Sequence, residues 1–449
     1  MYVLGIAGQV HDAAVALLKD GEIVAAAEEE RFSRQKFMGM LQCEGVPSQS
    51  LRYCLATAGI TLDEVDHIAY FFRPFVELWH QARFDARRAL RRPATGLFYM
   101  FQKAELCKAH LKTIGLLRMQ QRRPSRVHYV EHHKAHAASC HFLSGEAESA
   151  VLVMDAIGEH ASTTWYHAVG ADLRRLKTID YPHSLGMLYA QVTRFCGFTP
   201  WSDEYKLMGL ASFGEPRYLD AFRDVIQSRP GGEYRINLDY LHPSLKGPDL
   251  LGPKFFATFG PARRKDETVT DHYTSIAASL QRRLEEVALD MAAELHRRTG
   301  TRHLCVTGGV AHNCSMNGKL RTQSPFTKLT VHNASGDTGT ALGAALYVWH
   351  SVLGHPIRTQ VGNHAYLGPS YSNARILAAL RAAKCTAYRE YDEEPLLETT
   401  AKSITNGEIV GWFQGGMEWG PRALGARSIL ADATNPKMKD ILNKWVKHR

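Results

Sequence analysis

The chain has 449 residues, 45% hydrophobic and 22% charged, and a formal net charge of +9. That length exceeds one ordinary core and the composition is globular, so two or three domains are expected and disorder is excluded. No apolar run reaches the roughly 18–20 residues of a membrane span, and the start lacks a signal peptide's layout, so a cytoplasmic protein is expected. The eight cysteines contain no CxxC pair, which argues against a disulfide framework or a zinc ribbon; Cys140, Cys305 and Cys314 read as reduced core thiols.

The first thirty residues read as three short strands, YVLGIAG, AAVALL and IVAAAEE, joined by tight turns. A mostly helical stretch follows from Leu51 to Phe142. Within it, residues 81–127 hold twelve Lys or Arg against two acids, Asp85 and Glu105. Such a segment could attract RNA, a phosphorylated substrate or an acidic partner. No RNA-recognition signature accompanies it, and Phe84, Phe98, Tyr99 and Phe101 are spaced like packing residues. A solvated basic face is the favoured reading, and nucleic acid is not the expected partner.

Near position 150 the strand pattern returns as AVLVMDAIGE, ASTTWYHAVG and LRRLKTID. Both copies put a glycine and an acid at the first turn, GQVHD and DAIGE. The repeat predicts a duplicated, two-lobed α/β domain with an acidic turn from each lobe facing one cleft, a usual place for a nucleotide. From Asp271 to Arg298, Ile276, Leu280, Leu284, Val287, Met291 and Leu295 form one helical stripe, ended by Gly300. Two strand-to-loop passages follow, HLCVTGGVAHNCSMNGKL and LTVHNASGDTGTALGAALYVWH. A domain boundary is expected near Val361. Beyond it come a helix, a short TAYRE strand, an EIVGWFQGG strand and the run MEWGPRALGARSILAD.

Four histidines crowd into YVEHHKAHAASCHF. On a helix His132 and His136 are four apart and share a face, so both can reach one metal; such a pair can equally cap or pack a helix. Missing oxygen ligands could come from Asp155 and Asp337, both at strand-to-loop turns. Two imidazoles with carboxylates suit iron, manganese or zinc. The loops TGGVAHN and SGDTGTALG are neither Walker A nor GxGxxG, but two such loops beside two acidic turns point to an adenosine phosphate. Arg422 and Arg427, in a turn bracketed by Pro421 and Gly425, suit phosphate or carboxylate oxygens; a structural salt bridge is the plainer alternative.

Taken together, GIAGQVHDAAVALLKDGEIVAAAEEERFSRQKF, EHHKAHAAS, DAIGEHAST, EYKLMGLASFGEP, GGVAHNCSMNGKL, GDTGTALGAAL and MEWGPRALGARSILAD resemble the O-carbamoyltransferase family of antibiotic and nodulation-factor biosynthesis. The resemblance implies an actin-like (ASKHA) domain over residues 1–360 and part of a YrdC-like α/β domain over 361–449. It implies that carbamoyl phosphate and ATP with Mg(2+) form carbamoyl-adenylate, and that the carbamoyl group passes to a small-molecule hydroxyl in a domain holding Fe(2+). His132, His136, Asp155 and Asp337 are then the iron ligands and His11 the general base. Lys36, Gly158, Gly308, Gly309 and Asn313 hold the adenylate, while Arg422, Arg427 and Arg449 bind carbamoyl phosphate.

Departures from the family pattern are Ala156 for glycine, His312 for an apolar residue and Gly416 for arginine. The sequence also stops where the family continues, so the YrdC-like part is expected to be incomplete. A tRNA-modifying threonylcarbamoyl-type transferase and a non-catalytic nucleotide-binding protein are the alternatives. The acceptor and the oligomeric state are not legible.

Overall fold

A computed structural model describes residues 1–80, 93–242, 250–357 and 365–446, with residues 93–103 described by backbone alone. The chain divides into two compact units, Met1–Gly362 and Asn363–Arg449.

Two five-stranded mixed sheets with one shared strand order form the first unit. Strands β1 (Tyr2–Ala7), β2 (Ala14–Lys19) and β3 (Glu22–Glu28) make an antiparallel meander. Strand β4 (His67–Tyr70) pairs parallel with β1, and β5 (Arg126–Tyr129) parallel with β4, giving the order β3-β2-β1-β4-β5. The second sheet repeats the scheme with the meander β6 (Glu148–Met154), β7 (Ala161–Val169) and β8 (Asp172–Asp180). After a separate hairpin, β9 (Ile226–Arg229) and β10 (Glu233–Ile236), strands β11 (His303–Thr307) and β12 (Lys328–Val331) extend it in parallel, giving β12-β11-β6-β7-β8. This is the duplicated, two-lobed α/β topology that the repeated strand units predict.

The stretch from Leu51 to Phe142 is less helical than its sequence suggests. Helices α1 (Ser48–Ala58), α2 (Pro93–Met119) and α3 (His132–Phe142) occupy half of it, and β4 and β5 complete the first sheet. HIAY and RVHY are four residues each, and parallel strands carry no clean alternation to betray them. Helix α4 (Asp271–Thr299) matches its expected span, and all six stripe residues are buried. Each contributes roughly 1.5–3 kcal/mol of apolar burial, and Gly300 ends the helix at φ 68°.

The middle of the unit holds α3 and, beyond α5 (Cys314–Gln323), α6 (Thr338–Tyr347). Helix α6 packs on β1, β2 and β4, α3 packs on β6 and β11, and the two helices pack on each other. Glycines permit this closeness: a Cβ on Gly5 would lie 1.9 Å from the Ala341 carbonyl oxygen, and one on Gly343 1.9 Å from that of Ala135.

The second unit contains α7 (Asn373–Ala382), α8 (Glu393–Thr405) and a hairpin of β13 (Val410–Phe413) and β14 (Arg427–Leu430). The expected TAYRE strand does not form; residues 386–390 pair with no strand, and Tyr388 is 40% exposed. No described helix is long and apolar enough to cross a membrane.

Gly343→Ala should wedge α3 and α6 apart and destabilise the first unit by about 1–3 kcal/mol, the usual cost of overpacking. A thermal melt reads this directly, and an unchanged midpoint would contradict the packing described.

Candidate active site

Helix α3 presents His132 and His136 one turn apart, as their i, i+4 spacing dictates. Their Nε2 atoms lie 3.2 Å from each other. Asp155, in the turn after β6, brings Oδ2 to 3.0 Å from His132 Nε2 and 3.6 Å from His136 Nε2. Asp337, at the N-cap of α6, brings Oδ1 to 3.5 Å from both. One donor atom from each residue falls within 4.8 Å of all the others, and only Asp337 is more than marginally exposed. Among the described residues this is the sole group of three or more His, Cys, Asp or Glu so arranged.

Charge holds the cluster together. Burial opposes a proton on His132, yet the Asp337 and Asp155 carboxylates outweigh it and hold the imidazole well above its ordinary range. His136 is raised by the same two carboxylates against the same burial. Burial likewise works against the charge of Asp155, but its bonds to His132 and His136 hold it well below the usual carboxylate range. Asp337 is also lowered, chiefly by the His132 charge, against burial. His133 faces elsewhere: its Nδ1 lies 3.0 Å from Thr164 Oγ1, and burial pushes it well below the ordinary value, so it is neutral. His141 is held by Ser149 Oγ at 2.7 Å and the Gly170 carbonyl at 2.9 Å.

His11 stands at the open side of this group. Its Nε2 is 4.0 Å from Asp337 Oδ2, its Nδ1 is 3.1 Å from Asp12 Oδ2, and its side chain is 44% exposed. Desolvation pulls its pKa down, but the bond to Asp12 and the charges of Asp337, Asp12 and Asp155 raise it to about 9. Asp12 at φ 56° and Gly8 at φ 87° turn the chain sharply here.

The glycines expected at an adenylate act here through close approach. The Gly158 N–H donates to Ala161, that of Gly308 to Ser335, and that of Gly309 to Asp155 Oδ1 at 3.1 Å. A Cβ on Gly158 would lie 3.0 Å from the His133 ring, and one on Gly308 2.2 Å from the Met154 carbonyl oxygen. Asn313 caps α5 by accepting from Met316 N and exchanges two hydrogen bonds with Gln281. Lys36 is exposed, its Nζ lying over the rings of Phe37 and Tyr205 at 4.7 and 5.9 Å.

With that geometry in view, comparison with known proteins is decisive. The family model "Carbamoyltransferase N-terminus" matches residues 2–346, and "Carbamoyltransferase C-terminus" matches residues 401–449. The chain belongs to the carbamoyltransferase family. It is similar to "Uncharacterized protein sll1178" of Synechocystis, at 39% identity over all of this chain and 74% of that protein. It is 34% identical to nodulation protein NolNO of Sinorhizobium fredii, over 98% of this chain and 61% of that one. To nodulation protein NolO of Bradyrhizobium diazoefficiens it is 35% identical, over 71% of this chain and 56% of that one. The chain thus spans roughly three fifths of the two nodulation proteins.

The family departures have local reasons. Ala156 is not among the positive-φ residues, so its side chain costs no strain there, and its carbonyl accepts from Ser184 Oγ at 2.7 Å. His312 Nε2 accepts the Gly336 N–H at 3.1 Å, next to Asp337 in the same loop. A Cβ on Gly416 would lie 2.9 Å from the Tyr366 carbonyl oxygen. Cys314 is not a core thiol; it is exposed, 3.7 Å from Met208 Sδ.

In the second unit Arg422 is exposed and Arg449 lies outside the described residues. Arg427 takes the plainer role: its Nε donates to Glu418 Oε2 at 2.6 Å and its Nη2 to the Glu418 carbonyl at 3.1 Å. Glu418, fully buried, also accepts the N–H groups of Leu424, Ala426 and Arg427. No pattern in the sequence singles out Glu418. Two further residues escape sequence reading. Gln9, beside the VHD turn, accepts from Tyr70 Oη, which lies 2.7 Å from His110 Nδ1 on α2. Glu159 of DAIGE accepts backbone N–H groups from Arg73 and His132.

Burial works to raise Glu418, but Arg427 and the backbone donors prevail and depress it from 4.5 to about 2. A depressed carboxylate stabilises the fold fully above its unfolded value and ceases to do so as pH falls through its folded value. The second unit should therefore lose stability as pH drops from 4.5 towards about 2. Arg427→Ala should cost at least about 2 kcal/mol at neutral pH by leaving a buried charge without its cation. Acid titration of the melting midpoint in both proteins checks this; an unaltered profile in the variant would contradict it.

Proposed function

We propose that this chain carries the transfer site of an ATP-dependent O-carbamoyltransferase acting in the cytoplasm. In this reading His132, His136, Asp155 and Asp337 hold Fe(2+), and His11 takes the acceptor's proton. The observation behind it is the convergence of four buried donors beside His11 in a chain of the carbamoyltransferase family. The donor set fits a metal. Ligands about 2.0–2.2 Å from one ion stand about 2.8–3.6 Å apart; the separations that involve a histidine run from 3.0 to 3.6 Å, and all four donors lie within 4.8 Å of one another. Two imidazoles and two carboxylates suit a divalent first-row ion, which would compete with protons for the histidines that the carboxylates raise.

When bound, such an ion supplies a Lewis acid for carbamoyl or phosphate oxygens and offsets the carboxylate charge beside His11. In the transfer, the acceptor oxygen forms a bond to the carbamoyl carbon, and the bond from that carbon to the AMP oxygen breaks. AMP departs with the electron pair, and the hydroxyl proton passes to His11 Nε2. Asp12, bonded to Nδ1, orients the ring for that step.

The adenylate is proposed to come from carbamoyl phosphate and ATP with Mg(2+). Lys36, Gly158, Gly308, Gly309 and Asn313 are assigned to its adenosine part. Arg422 and Arg449, in a YrdC-like region, are assigned to carbamoyl phosphate, whereas Arg427 is taken up by Glu418. Those assignments rest on the resemblance, and the acceptor is proposed to be a small-molecule hydroxyl.

Alanine at His132 or His136 should abolish binding of Fe(II) or Mn(II), measured by metal analysis after loading and desalting. His133→Ala should keep near wild-type stoichiometry and lose about 1–3 kcal/mol of stability with its buried hydrogen bond. Equal metal loss in all three would contradict the ligand assignment.

For the reaction, iron-loaded protein given carbamoyl-adenylate and a panel of aminoglycosides, polyketides and sugars should release AMP with formation of a carbamate ester. His11→Ala should slow this by roughly 100-fold or more, the scale of general base catalysis. A full panel with no carbamate formed would sink the proposal.

A further inference from the structure

One buried carboxylate is absent from the chemistry above. Glu159 sits in the turn between β6 and β7 and is 5% exposed. Its Oε1 accepts the Arg73 N–H at 2.9 Å and the His132 N–H at 3.0 Å, with Oε2 3.2 Å from the same His132 nitrogen. The His132 N–H belongs to the first turn of α3, where helical donors have no intrahelical partner. Glu131, at the N-cap, makes no side-chain capping bond, and its carboxylate pairs with Arg175. The cap therefore comes from 27 residues away, from the turn after β6 on which α3 packs.

Arg73 closes the triangle. It follows β4 through Phe71 and Phe72, whose rings meet the His132 ring edge-on at centroid distances of 5.5 and 6.0 Å. A single carboxylate thus ties together three elements: the segment leaving the first sheet, the start of the histidine-bearing helix, and the turn that follows Asp155. Burying such a group is costly unless it is bonded, and its bonds go to two backbone donors, one after β4 and one at the start of α3.

We propose that Glu159 is a positioning residue of the transfer site: it fixes α3 against the Phe71–Arg73 segment so that His132 and His136 meet Asp155 and Asp337. The proposal rests on the reading of those four as metal ligands. It differs from local capping in that loss of Glu159 disturbs two lobes at once and weakens metal affinity without touching a ligand.

The test compares wild type, Glu159→Met, which has similar length and no acceptor, and Glu159→Gln, which keeps an oxygen for both donors. Amide hydrogen exchange is followed in residues 71–75 and 130–136, Mn(II) affinity is measured by titration, and a thermal melt confirms folding. Methionine should speed exchange in both segments and weaken Mn(II) binding by about 10- to 100-fold, the scale of losing an outer support of a metal ligand. Glutamine should recover most of both.

A methionine variant matching wild type in exchange and affinity overturns the proposal. So does a glutamine variant as defective as methionine, since charge and not bonding geometry would then be acting. Should the methionine variant fail to fold, Glu159→Asp, one methylene short of both donors, carries the same expectations. If wild type binds neither Mn(II) nor Fe(II), the metal reading fails. The clasp then stands or falls on exchange: faster in both segments supports it, and unchanged exchange refutes it.

Discussion

The constraint on which the first unit depends is the burial of two imidazoles against two carboxylates in the middle of a protein. Four ionisable groups cannot leave water singly; each is tolerable because the others offset its charge. His132 and His136 are buried while Asp155 and Asp337 arrive from turns far apart in sequence. Those turns belong to two different layers, one after β6 and one at the start of α6. The fold has to bring the layers to within hydrogen-bonding range before the charges can compensate one another.

Small residues make that approach possible. Gly5 and Gly343 let α6 lie against β1 on one side and α3 on the other, with carbonyl oxygens where a Cβ would stand. Gly308 and Gly309 do the same for the loop beside Asp155, the latter donating its N–H to the carboxylate. Glycine-rich loops that suggest a phosphate cradle in sequence are, in this arrangement, also the means by which the acidic turns are packed and aimed. The same carboxylates help raise His11 to about 9, so the proton affinity of the base beside the cluster is set by the buried carboxylates together with Asp12.

Much of this was legible in sequence because its signals are local. The two strand meanders, the α4 stripe and the HxxxH pair are each written within a few dozen consecutive residues. The pairing of His132 and His136 with Asp155 and Asp337 could be stated as a hypothesis because histidines one turn apart share a helix face. What was not legible depends on distant partners. HIAY and RVHY become strands only through parallel pairing, and TAYRE, with strand-like residues, stays unpaired because no neighbour is supplied. Arg427 had two readings from sequence, and only the position of Glu418 shows it engaged in an internal ion pair. Glu159 was visible as an acid in a turn, but its backbone partners lie 86 and 27 residues away.

The central claim is that these four side chains form one divalent-metal centre. X-ray absorption at the iron edge of the Fe(II)-loaded protein addresses it most directly. A first shell of mixed nitrogen and oxygen donors, with the outer-shell scattering of two imidazoles, is the predicted result. A shell of oxygen donors alone, with no imidazole scattering, would contradict the account.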